Sequence, residues 1–160
     1  SRLRGCFQFR GAGFHSMCAC VIQGGRVCSS PMKQVTSITV RTYECDSYGH
    51  VNHAVFVNYL EHARLQYMRA VGYDYNGLIQ AGYFTVIARL EIDYKAPAYA
   101  DDELQIESAP VSLRRITGVV QQTIRRGETV IAIAKVQWCV VNREGQPARP
   151  PEAFDLRRLA

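Results

Sequence analysis

Apolar residues between positions 53 and 71 recur with the period of an α-helix. They are spaced by four, three, four and four residues, so a helix would carry on one face Phe56, Leu60, Ala63, Tyr67 and Val71. Asn52 precedes this pattern with a side chain suited to an N-cap, and Gly72 follows it as a suitable C′ residue. The pattern therefore predicts one long, largely buried helix over residues 53–71.

Alternating and β-branched residues predict strands on both sides of this helix. One strand is predicted before it, over residues 35–43. Four more are predicted after it, around residues 86–95, 103–107, 120–124 and 130–140. A Gly- and Tyr-rich connection without an element of its own spans 72–83, and a Pro-rich tail leads to a short helical segment over 152–159. This order predicts an α+β fold in which a curved antiparallel sheet wraps one central helix.

The first 33 residues differ in composition from the rest of the chain. They hold 5 of the 19 basic residues and no acid, which leaves 14 basic and 14 acidic residues in 34–160. An Arg-rich, acid-poor segment is typical of targeting sequences or of sequence translated from upstream of the true start, and we favour a start near Met32. We therefore predict a single domain over 34–160. Because that domain is neutral, no nucleic-acid-binding face is predicted.

Cysteine spacing and the length of apolar runs limit the classes of site and compartment. Four cysteines lie in the first 33 residues, and Cys45 and Cys139 lie far apart in the domain. This spacing lacks the two close pairs of common zinc modules, so no metal site is predicted. No apolar run approaches the ~20 residues of a membrane helix. Without a secretory segment we expect free thiols and a cytoplasmic protein, with organelle targeting by residues 1–33 left open.

The stretch between the first strand and the helix has the composition of an active site. It places Asp46, a lone carboxylate, on a turn in which Gly49 allows the chain to bend. The helix that follows begins with backbone N–H groups that have no intrahelical acceptor. A carboxylate beside such donors combines an acid, base or nucleophile with groups that stabilise an oxyanion. The alternative is that Asp46 only fixes the turn, as Asp before Gly often does.

Two separated motifs carry a resemblance to a known family. The first is Asp46-x-x-Gly49-His50-Val51-Asn52, followed by Asn58-Tyr59-Leu60-Glu61-His62-Ala63-Arg64, and the second is Ile92-Asp93-Tyr94-Lys95-Ala96-Pro97 with residues 98–103. Together they resemble the hotdog-fold acyl-CoA thioesterases of the 4-hydroxybenzoyl-CoA thioesterase family, in particular its broad bacterial branch. The resemblance covers about residues 35–142. It has two departures: His53 stands where Asn is common, and Asp101 stands where Gly is usual, which predicts a slightly different turn there.

The resemblance implies a hotdog-fold thioester hydrolase in which Asp46 is the essential carboxylate, acting as nucleophile or as general base. It also implies that the backbone N–H near His53 donates to the thioester oxygen. Neither a metal nor an organic cofactor is needed for this chemistry. A metal site made of Asp46, His50 and His53 is a poor alternative, because a turn with one carboxylate leaves the ligand set incomplete.

Further residues are predicted to support the site or to bind substrate. The supporting residues are Gly49, His50, Asn52, Tyr59 and Glu61, although a structural ion pair with Arg64 is the alternative for Glu61. An acyl or aryl pocket would be lined by Tyr48, Phe56, Tyr59 and Phe84, for which core packing is the alternative. Coenzyme A phosphates would be bound by Arg114 and Arg115, or by the pair Arg125 and Arg126, for which solvated charge is the alternative.

The resemblance also implies partners. The substrate would be a small-molecule acyl-CoA, with a thioester of acyl carrier protein as a close variant, and the chain would form a homodimer or a tetramer of two dimers. Long strands agree with this expectation, because they leave a sheet edge to cover. Two other classes stay open: a dehydratase on acyl thioesters, which would hydrate an enoyl-CoA, and a non-catalytic protein, which would bind acyl thioesters without turnover.

Overall fold

A computed structural model describes residues 33–159. The expectation that residues 1–33 form a separate extension lies outside these residues, apart from Lys33. The strands and α-helices are β1 (Gln34–Thr39), α1 (Val55–Ala70), α2 (Tyr75–Gln80), β2 (Phe84–Tyr94), β3 (Glu103–Leu113), β4 (Thr117–Arg126) and β5 (Thr129–Val141). Short 3-10 helices lie at Thr42–Glu44, Glu152–Phe154 and Leu156–Leu159. Within the described residues, no helix is both long and apolar enough to cross a membrane.

The five strands form one antiparallel sheet in the order β1-β3-β4-β5-β2. The strands β3, β4 and β5 follow one another as hairpins, whereas β2 lies at one edge beside β5 and β1 at the other edge beside β3. Register shifts interrupt three of the four pairings, near Ala88, Val111 and Ile124. Such bulges bend strands and increase their twist. The expected fold, an antiparallel sheet packed around one long helix, is confirmed.

The helix α1 is buried along the side that its periodicity predicts. Phe56, Leu60, Ala63 and Tyr67 are each less than 5% exposed, at 4, 1, 0 and 0%, and Val71 is half-buried. Every second residue of β4 and β5 is buried, which gives the sheet an apolar face for the helix. Two adjoining clusters of apolar side chains result, one around each half of α1.

A polar side chain adds a directed link between the helix and the sheet. Gln122 of β4 is fully buried, and its Nε2 donates to the carbonyl oxygen of Leu60 and to Oγ of Ser108, both at 3.0 Å. Buried hydrogen bonds of this kind are costly to leave unmade. They therefore favour one position of α1 along the sheet, where apolar packing alone would tolerate several.

The predicted end of α1 at Gly72 is confirmed. Gly72 has φ of +70°, and its N–H donates to the carbonyl of Arg69 at 3.0 Å. The N–H of Tyr73 donates back to the carbonyl of Met68 at 2.9 Å. This pair of bonds is the Schellman arrangement, which glycine favours because it adopts positive φ without strain.

The first strand is shorter than the sequence predicts, and a short helix that was not predicted follows α1. β1 ends at Thr39, and residues predicted as strand form the 3-10 helix Thr42–Glu44, because Glu44 turns inward to accept a hydrogen bond from the N–H of Arg41 at 2.7 Å. The connection predicted to lack an element contains α2, which Asp74 caps by accepting from the N–H of Gly77 at 2.8 Å. Asp74 is a typical N-cap residue, so the signal was present in the sequence.

The helical segment predicted near the C-terminus is present as two 3-10 helices that Asp155 separates. The side chains of Leu156 and Leu159 are fully buried in the sheet–helix core. The hydroxyl of Tyr73 donates to the carbonyl of Phe154 at 2.8 Å, and that of Tyr67 donates to the carbonyl of Leu159. The tail is therefore anchored by apolar packing and by two buried hydroxyl groups.

Gly118 of β4 leaves room for the indole of Trp138 on the neighbouring strand β5. A Cβ at this position would lie 2.6 Å from Cε2 of the buried Trp138 on β5. We expect Gly118→Ala to destabilise the protein by about 1–3 kcal/mol through overpacking. Urea unfolding measures the change. In a Trp138→Phe background the smaller ring relieves the contact, so the same substitution is expected to cost less; equal costs in both backgrounds would contradict this explanation.

Candidate active site

Asp46 lies on a tight turn that joins the first 3-10 helix to the start of α1. Its Oδ1 accepts a hydrogen bond from the N–H of Tyr48 at 2.9 Å, and its carbonyl accepts from Gly49 at 3.0 Å. The turn closes when the N–H of Asp46 donates to the carbonyl of His50 at 2.9 Å, with Gly49 at φ of +82°. One carboxylate oxygen of Asp46 therefore fixes the turn, and the other oxygen, Oδ2, is available for other contacts.

The nearest polar neighbour of that second oxygen is the imidazole of His50. Its Nδ1 lies 3.5 Å from Oδ2 of Asp46, and an equally long 3.5 Å from the carbonyl of Val51. Distances of this length exceed those of good hydrogen bonds. Asp46 thus keeps an oxygen that is only weakly engaged by the protein.

Both flanks of this turn are tied to fixed elements. On one flank the N–H of Val51 donates to the carbonyl of Ala98 at 2.8 Å, and on the other the N–H of Asn52 donates to the carbonyl of Glu44 at 3.0 Å. His50 also forms an isolated bridge with Tyr99. The backbone that presents Asp46 is consequently held between the approach to β3 and the 3-10 helix.

The turn over residues 98–102 that receives Val51 is itself braced. Asp102 accepts from the N–H of Tyr99 at 2.8 Å and from Nη1 of Arg126 at 2.5 Å, and the Arg126 guanidinium lies over the Tyr99 ring. Asp101 adopts φ of +66°, a conformation that glycine takes most easily and that Asp tolerates. This explains how Asp101 occupies the position where Gly is usual in the resembled family.

The start of α1 differs in detail from the expected capping. Asn52 is not the N-cap: its Oδ1 accepts from the N–H of Ala54 at 2.9 Å, and the helix begins at Val55 with Ala54 in the N-cap position. An Asx turn therefore precedes the helix. Within residues 33–159 the N–H of His53, which lies inside that turn, donates to no protein acceptor.

Tyr94, the last residue of β2, fixes the other side of His53. Its hydroxyl donates to the carbonyl of His53 at 3.0 Å, and its ring contacts Phe56 edge to face at 5.5 Å between centroids. Burial raises the pKa of the Tyr94 phenol, so the hydroxyl stays a donor across the neutral pH range. Because a peptide is planar, holding that carbonyl fixes the peptide between His53 and Ala54, which directly follows the peptide that carries the N–H of His53.

These groups surround one cavity of about 360 Å³. It is lined by Asp46, His50, Val51, His53, Phe56, Tyr94, Lys95, Ala96 and Pro97. Of the residues singled out in the sequence, the structure thus brings together Asp46, His50, His53 and Phe56. Tyr94 and Lys95 also line the cavity, but the sequence analysis did not predict them as site residues. Their presence in the second motif is the feature of the sequence that could have indicated this position.

Two of the predicted supporting residues lie elsewhere on α1. The hydroxyl of Tyr59 donates to the buried carboxylate of Glu44 at 2.6 Å, which links the helix to the residue that holds Asn52. Burial acts to raise the pKa of Glu44, but the hydrogen bonds from Tyr59 and Arg41 outweigh it, so this pKa is lowered and the carboxylate is ionised. Glu61 lies outside the cavity and forms an ion pair with Arg64, which is the structural interpretation that the sequence analysis gave as the alternative to a role in the site.

The predicted substrate-binding residues are distributed unevenly. Tyr48 borders the site, since its ring stacks near His50 at 5.9 Å between centroids, and it is 83% exposed. Phe84 starts β2, at the opposite end of that strand from Tyr94. Arg114 and Arg115 lie in the turn between β3 and β4, at the same far end of the sheet. One protomer does not bring these three residues to the Asp46 cavity, and their roles stay predictions.

The family model of the thioesterase-like superfamily matches residues 40–157, which is well over half of the chain. The chain belongs to this superfamily. The match includes both sequence motifs and every residue that lines the Asp46 cavity. The expectations of a hotdog fold and of a thioester hydrolase are therefore confirmed, as is the resemblance that carried them.

Individual members of the thioesterase-like superfamily are similar over most of this chain. A putative esterase of Aquifex aeolicus is 26% identical over 73% of this chain and 91% of its own length. The long-chain acyl-CoA thioesterase FadM of Escherichia coli is 29% identical over 71% of this chain and 86% of its own. The crystal structure of a probable thioesterase from Bartonella henselae superimposes with a TM-score of 0.70 at 27% identity, over 75% of this chain and all of that one.

Among residues 33–159, side chains of His, Cys, Asp and Glu form no group of three or more that could hold a metal ion. The free thiols of Cys45, directly after the first 3-10 helix, and Cys139, in β5, are half-buried. What the site offers is therefore a carboxylate, a backbone donor, two imidazoles and one ammonium group around a cavity. The carboxylate and the donor are the two components that acyl transfer requires.

We expect Tyr94→Phe to lower kcat of thioester hydrolysis roughly five- to tenfold, which corresponds to about 1 kcal/mol for one hydrogen bond. The ring and its contact with Phe56 remain, so KM should change little. Tyr99→Phe is the matched control, because Tyr99 is an exposed tyrosine whose hydroxyl makes no hydrogen bond within the described chain. Steady-state kinetics measure both; equal effects of the two substitutions would show that the Tyr94 hydroxyl does not position His53.

Proposed function

We propose that this protein hydrolyses acyl-CoA thioesters to a free acid and coenzyme A. The observation that carries the proposal is the common cavity of Asp46, with one weakly engaged carboxylate oxygen, and His53, whose backbone N–H has no acceptor among residues 33–159. The substrate class is supported by FadM, which is a long-chain acyl-CoA thioesterase and is similar over most of this chain. Neither group requires a cofactor for the reaction.

The reaction begins with the thioester carbonyl in the cavity between these two groups. In one form of the mechanism Oδ2 of Asp46 takes a proton from water, and the resulting hydroxide attacks the carbonyl carbon. In the other form Asp46 itself attacks, and water then hydrolyses the mixed anhydride. In both forms the carbonyl oxygen becomes an oxyanion, the C–S bond breaks, and the thiolate of coenzyme A leaves and is protonated.

The backbone N–H of His53 serves as the donor to that oxyanion. A single donor of this kind is typically worth about 3–4 kcal/mol of transition-state stabilisation when water is excluded. Its contribution depends on position, and two contacts hold the peptide that directly follows it, between His53 and Ala54: the Asx turn made by Asn52 and the hydroxyl of Tyr94. The backbone of the site is therefore positioned by Gly49, Asn52 and Tyr94, whereas Asp46 reacts with the substrate or with water.

Phe56 and His50 line the same cavity with an apolar and a polar surface, respectively. Phe56 is 4% exposed and forms the floor against which an acyl or aryl group would pack. The Nδ1 atom of His50 lies 3.5 Å from Oδ2 of Asp46, which is too long for a good hydrogen bond and leaves that oxygen free to contact substrate. Lys95 adds positive charge at the cavity, which favours the thiolate as it leaves.

The functional unit is a homodimer formed through the outer edge of β2. Five apolar side chains of this strand are 37–48% exposed, namely Phe84, Val86, Ile87, Leu90 and Tyr94. Its eleven residues pair with β5 on one side and with no strand on the other within the described chain. A long apolar edge of this kind is stabilised when a second strand covers it. Pairing with a second copy would extend the sheet continuously from one protomer into the next.

A charge on that edge is expected to separate the protomers. In Val86→Lys the 42% exposed valine of β2 becomes a cation that a partner strand would cover and desolvate, so the protein should sediment as a monomer at micromolar concentration. Val111→Lys is the matched control, because Val111 is 59% exposed on the interior strand β3 and should leave the oligomer intact. Analytical ultracentrifugation measures both, and an unchanged sedimentation coefficient for Val86→Lys would refute this interface.

The role of Asp46 is tested best by Asp46→Asn. Asparagine retains a side-chain oxygen for the N–H of Tyr48 and removes only the charge and the basic oxygen. We expect at least a hundredfold loss of thiol release from acyl-CoA, about 2.7 kcal/mol of transition-state stabilisation. The panel should contain short, long and aromatic acyl groups and one acyl thioester of acyl carrier protein, and circular dichroism should show an unchanged fold.

Asp46→Ala provides the comparison, because it also removes the turn-forming oxygen. Full activity of Asp46→Asn would refute catalysis by this carboxylate. If only the thioester of acyl carrier protein is hydrolysed, the substrate is that thioester and not acyl-CoA, while the proposed reaction at Asp46 is unchanged.

A further inference from the structure

The turn of Asp46 closes a short antiparallel ribbon. We call residues 44–46 the incoming arm of this ribbon and residues 50–52 the outgoing arm. At the base of the ribbon the N–H of Asn52 donates to the carbonyl of Glu44 at 3.0 Å, and at the other end the N–H of Asp46 donates to the outgoing arm. The proposed catalytic carboxylate therefore lies on the incoming arm, whereas the chain reaches the proposed oxyanion donor through the outgoing arm.

The two arms are attached to the rest of the fold in different ways. The outgoing arm leads directly into α1, and the N–H of Val51 donates to the carbonyl of Ala98 at 2.8 Å. The incoming arm has no such continuity with the helix. Of its three side chains, that of Glu44 is the one that hydrogen-bonds α1 within residues 33–159, because it accepts from the hydroxyl of Tyr59 at 2.6 Å. This bond therefore determines how the incoming arm lies relative to α1.

The bond between Glu44 and Tyr59 is buried and supported from a second side. Glu44 is 9% exposed and Tyr59 is 3% exposed. The backbone N–H and Nη1 of Arg41 donate to the same carboxylate at 2.7 and 3.1 Å. Burial, together with the ionised carboxylate of Glu44, raises the pKa of the Tyr59 phenol, so its hydroxyl remains a donor across the neutral pH range. Because a buried charged acceptor is costly to leave without its donor, the link favours one separation of arm and helix.

Neither side chain of this link lines the Asp46 cavity. Glu44 and Tyr59, together with Arg41, line a separate cavity of about 610 Å³ between β1 and α1. A thioester held between Asp46 and the N–H of His53 would therefore not contact them. Any effect of Glu44 or Tyr59 on the reaction has to pass through the backbone of the ribbon.

The proposed reaction needs its attacking oxygen and its oxyanion donor at a fixed separation, because small displacements of reacting groups are costly in rate. These two groups depend on different arms of the ribbon. The outgoing arm is held by α1 and by Ala98, so the position of the incoming arm is the remaining variable. We propose that Glu44 and Tyr59 are positioning residues, which set the place of Asp46 relative to the N–H of His53 by linking the incoming arm to α1. This inference rests on the proposed function and deepens it.

Tyr59→Phe removes the link and keeps the ring. We expect kcat of thioester hydrolysis to fall roughly tenfold while KM changes less than twofold, because the groups that act in the transition state are displaced. Tyr67→Phe is the matched control, since Tyr67 is another buried tyrosine of α1 whose hydroxyl donates to a carbonyl, that of Leu159. It should keep kcat within twofold, although urea unfolding should show a comparable loss of stability in both variants.

Two kinetic results would overturn the proposal. Equal losses of kcat in Tyr59→Phe and Tyr67→Phe would show that only the general stability of α1 matters. An unchanged kcat in Tyr59→Phe would show that the link has no role in the reaction.

A double-mutant cycle tests whether Tyr59 acts through Glu44. Glu44→Met removes both acceptor oxygens at a similar side-chain size, and circular dichroism checks its fold. In this background the hydroxyl of Tyr59 has no carboxylate to bind, so adding Tyr59→Phe should lower kcat by less than twofold. If Tyr59→Phe lowers kcat as much in this background as in wild type, the two residues act separately and the proposed link is overturned.

Backbone hydrogen exchange tests the link without catalysis. The N–H groups of Asp46 and Asn52 join the two arms, so their exchange rates, resolved by NMR, report the opening of the ribbon. Both should exchange at least tenfold faster in Tyr59→Phe than in Tyr67→Phe, which controls for the loss of one buried hydrogen bond in α1. Equal exchange in the two variants would overturn the proposal.

Kinetics and exchange together separate the positioning role from the proposed function. If wild type hydrolyses acyl-CoA but the two phenylalanine variants agree in kcat and in exchange, the proposed function stands and the positioning role is overturned. If Tyr59→Phe opens the ribbon but wild type hydrolyses no thioester, the proposed function is refuted, while the link between Tyr59 and the turn of Asp46 is supported.

Discussion

The site depends on the hydrogen bonds that tie the turn of Asp46 to both layers of the fold. The N–H of Val51 is held by Ala98, which leads into β3, and the N–H of Asn52 is held by Glu44, which in turn receives the hydroxyl of Tyr59 from α1. The turn is thus fixed at the junction of helix and sheet, although its residues are exposed or only half-buried. A catalytic carboxylate benefits from such support, because small displacements of a reacting group are costly in rate.

Two carboxylates, only two residues apart, have opposite environments here. Glu44 is 9% exposed and receives three hydrogen bonds, from the backbone and side chain of Arg41 and from Tyr59. Its oxygens are thereby committed to structure. Asp46 receives one backbone hydrogen bond and keeps Oδ2 near the cavity, with only His50 beside it at 3.5 Å. The different number of donors, more than burial alone, separates the structural carboxylate of Glu44 from the proposed catalytic carboxylate of Asp46.

The parts of the fold that could be predicted from the sequence are those with a strong period or an ordered motif. The face of α1, its end at Gly72 and the four later strands follow from side-chain patterns that burial imposes on every such element. The position of Asp46 could be predicted because the motif from Asp46 to Asn52 contains the residue types of a turn followed by the start of a helix. The 3-10 helix at residues 42–44 could not be predicted, because it depends on Glu44 reaching Tyr59, 15 residues away in the chain.

Tyr94 and Lys95 illustrate the same limit within the site. Their alternation predicts a strand end, and only the pairing of β2 with β5 places that end beside His53. Which residues of two distant strands lie beside each other depends on the register in which the strands pair, and the sequence of one strand does not determine that register. The start of α1 shows the same limit locally. Asn52 is a residue type suited to an N-cap, but its side chain forms an Asx turn two residues before the N-cap, Ala54. Among residues 33–159 the N–H of His53 inside that turn has no acceptor.

The edge strand β2 is both the most exposed long strand of the described sheet and the strand whose last residue, Tyr94, lines the cavity. β2 is the only long strand whose residues are mostly exposed on both faces in the described chain, and it is also the strand that ends at the cavity. Covering it with a second copy would remove apolar surface from water and would bring a second set of side chains to the cavity. Among the described residues, one protomer provides the proposed carboxylate and oxyanion donor, and Lys95 is the one ammonium group that lines their cavity. The uncovered apolar edge of β2 is the physical argument for the proposed dimer, since a strand of a second copy would cover it.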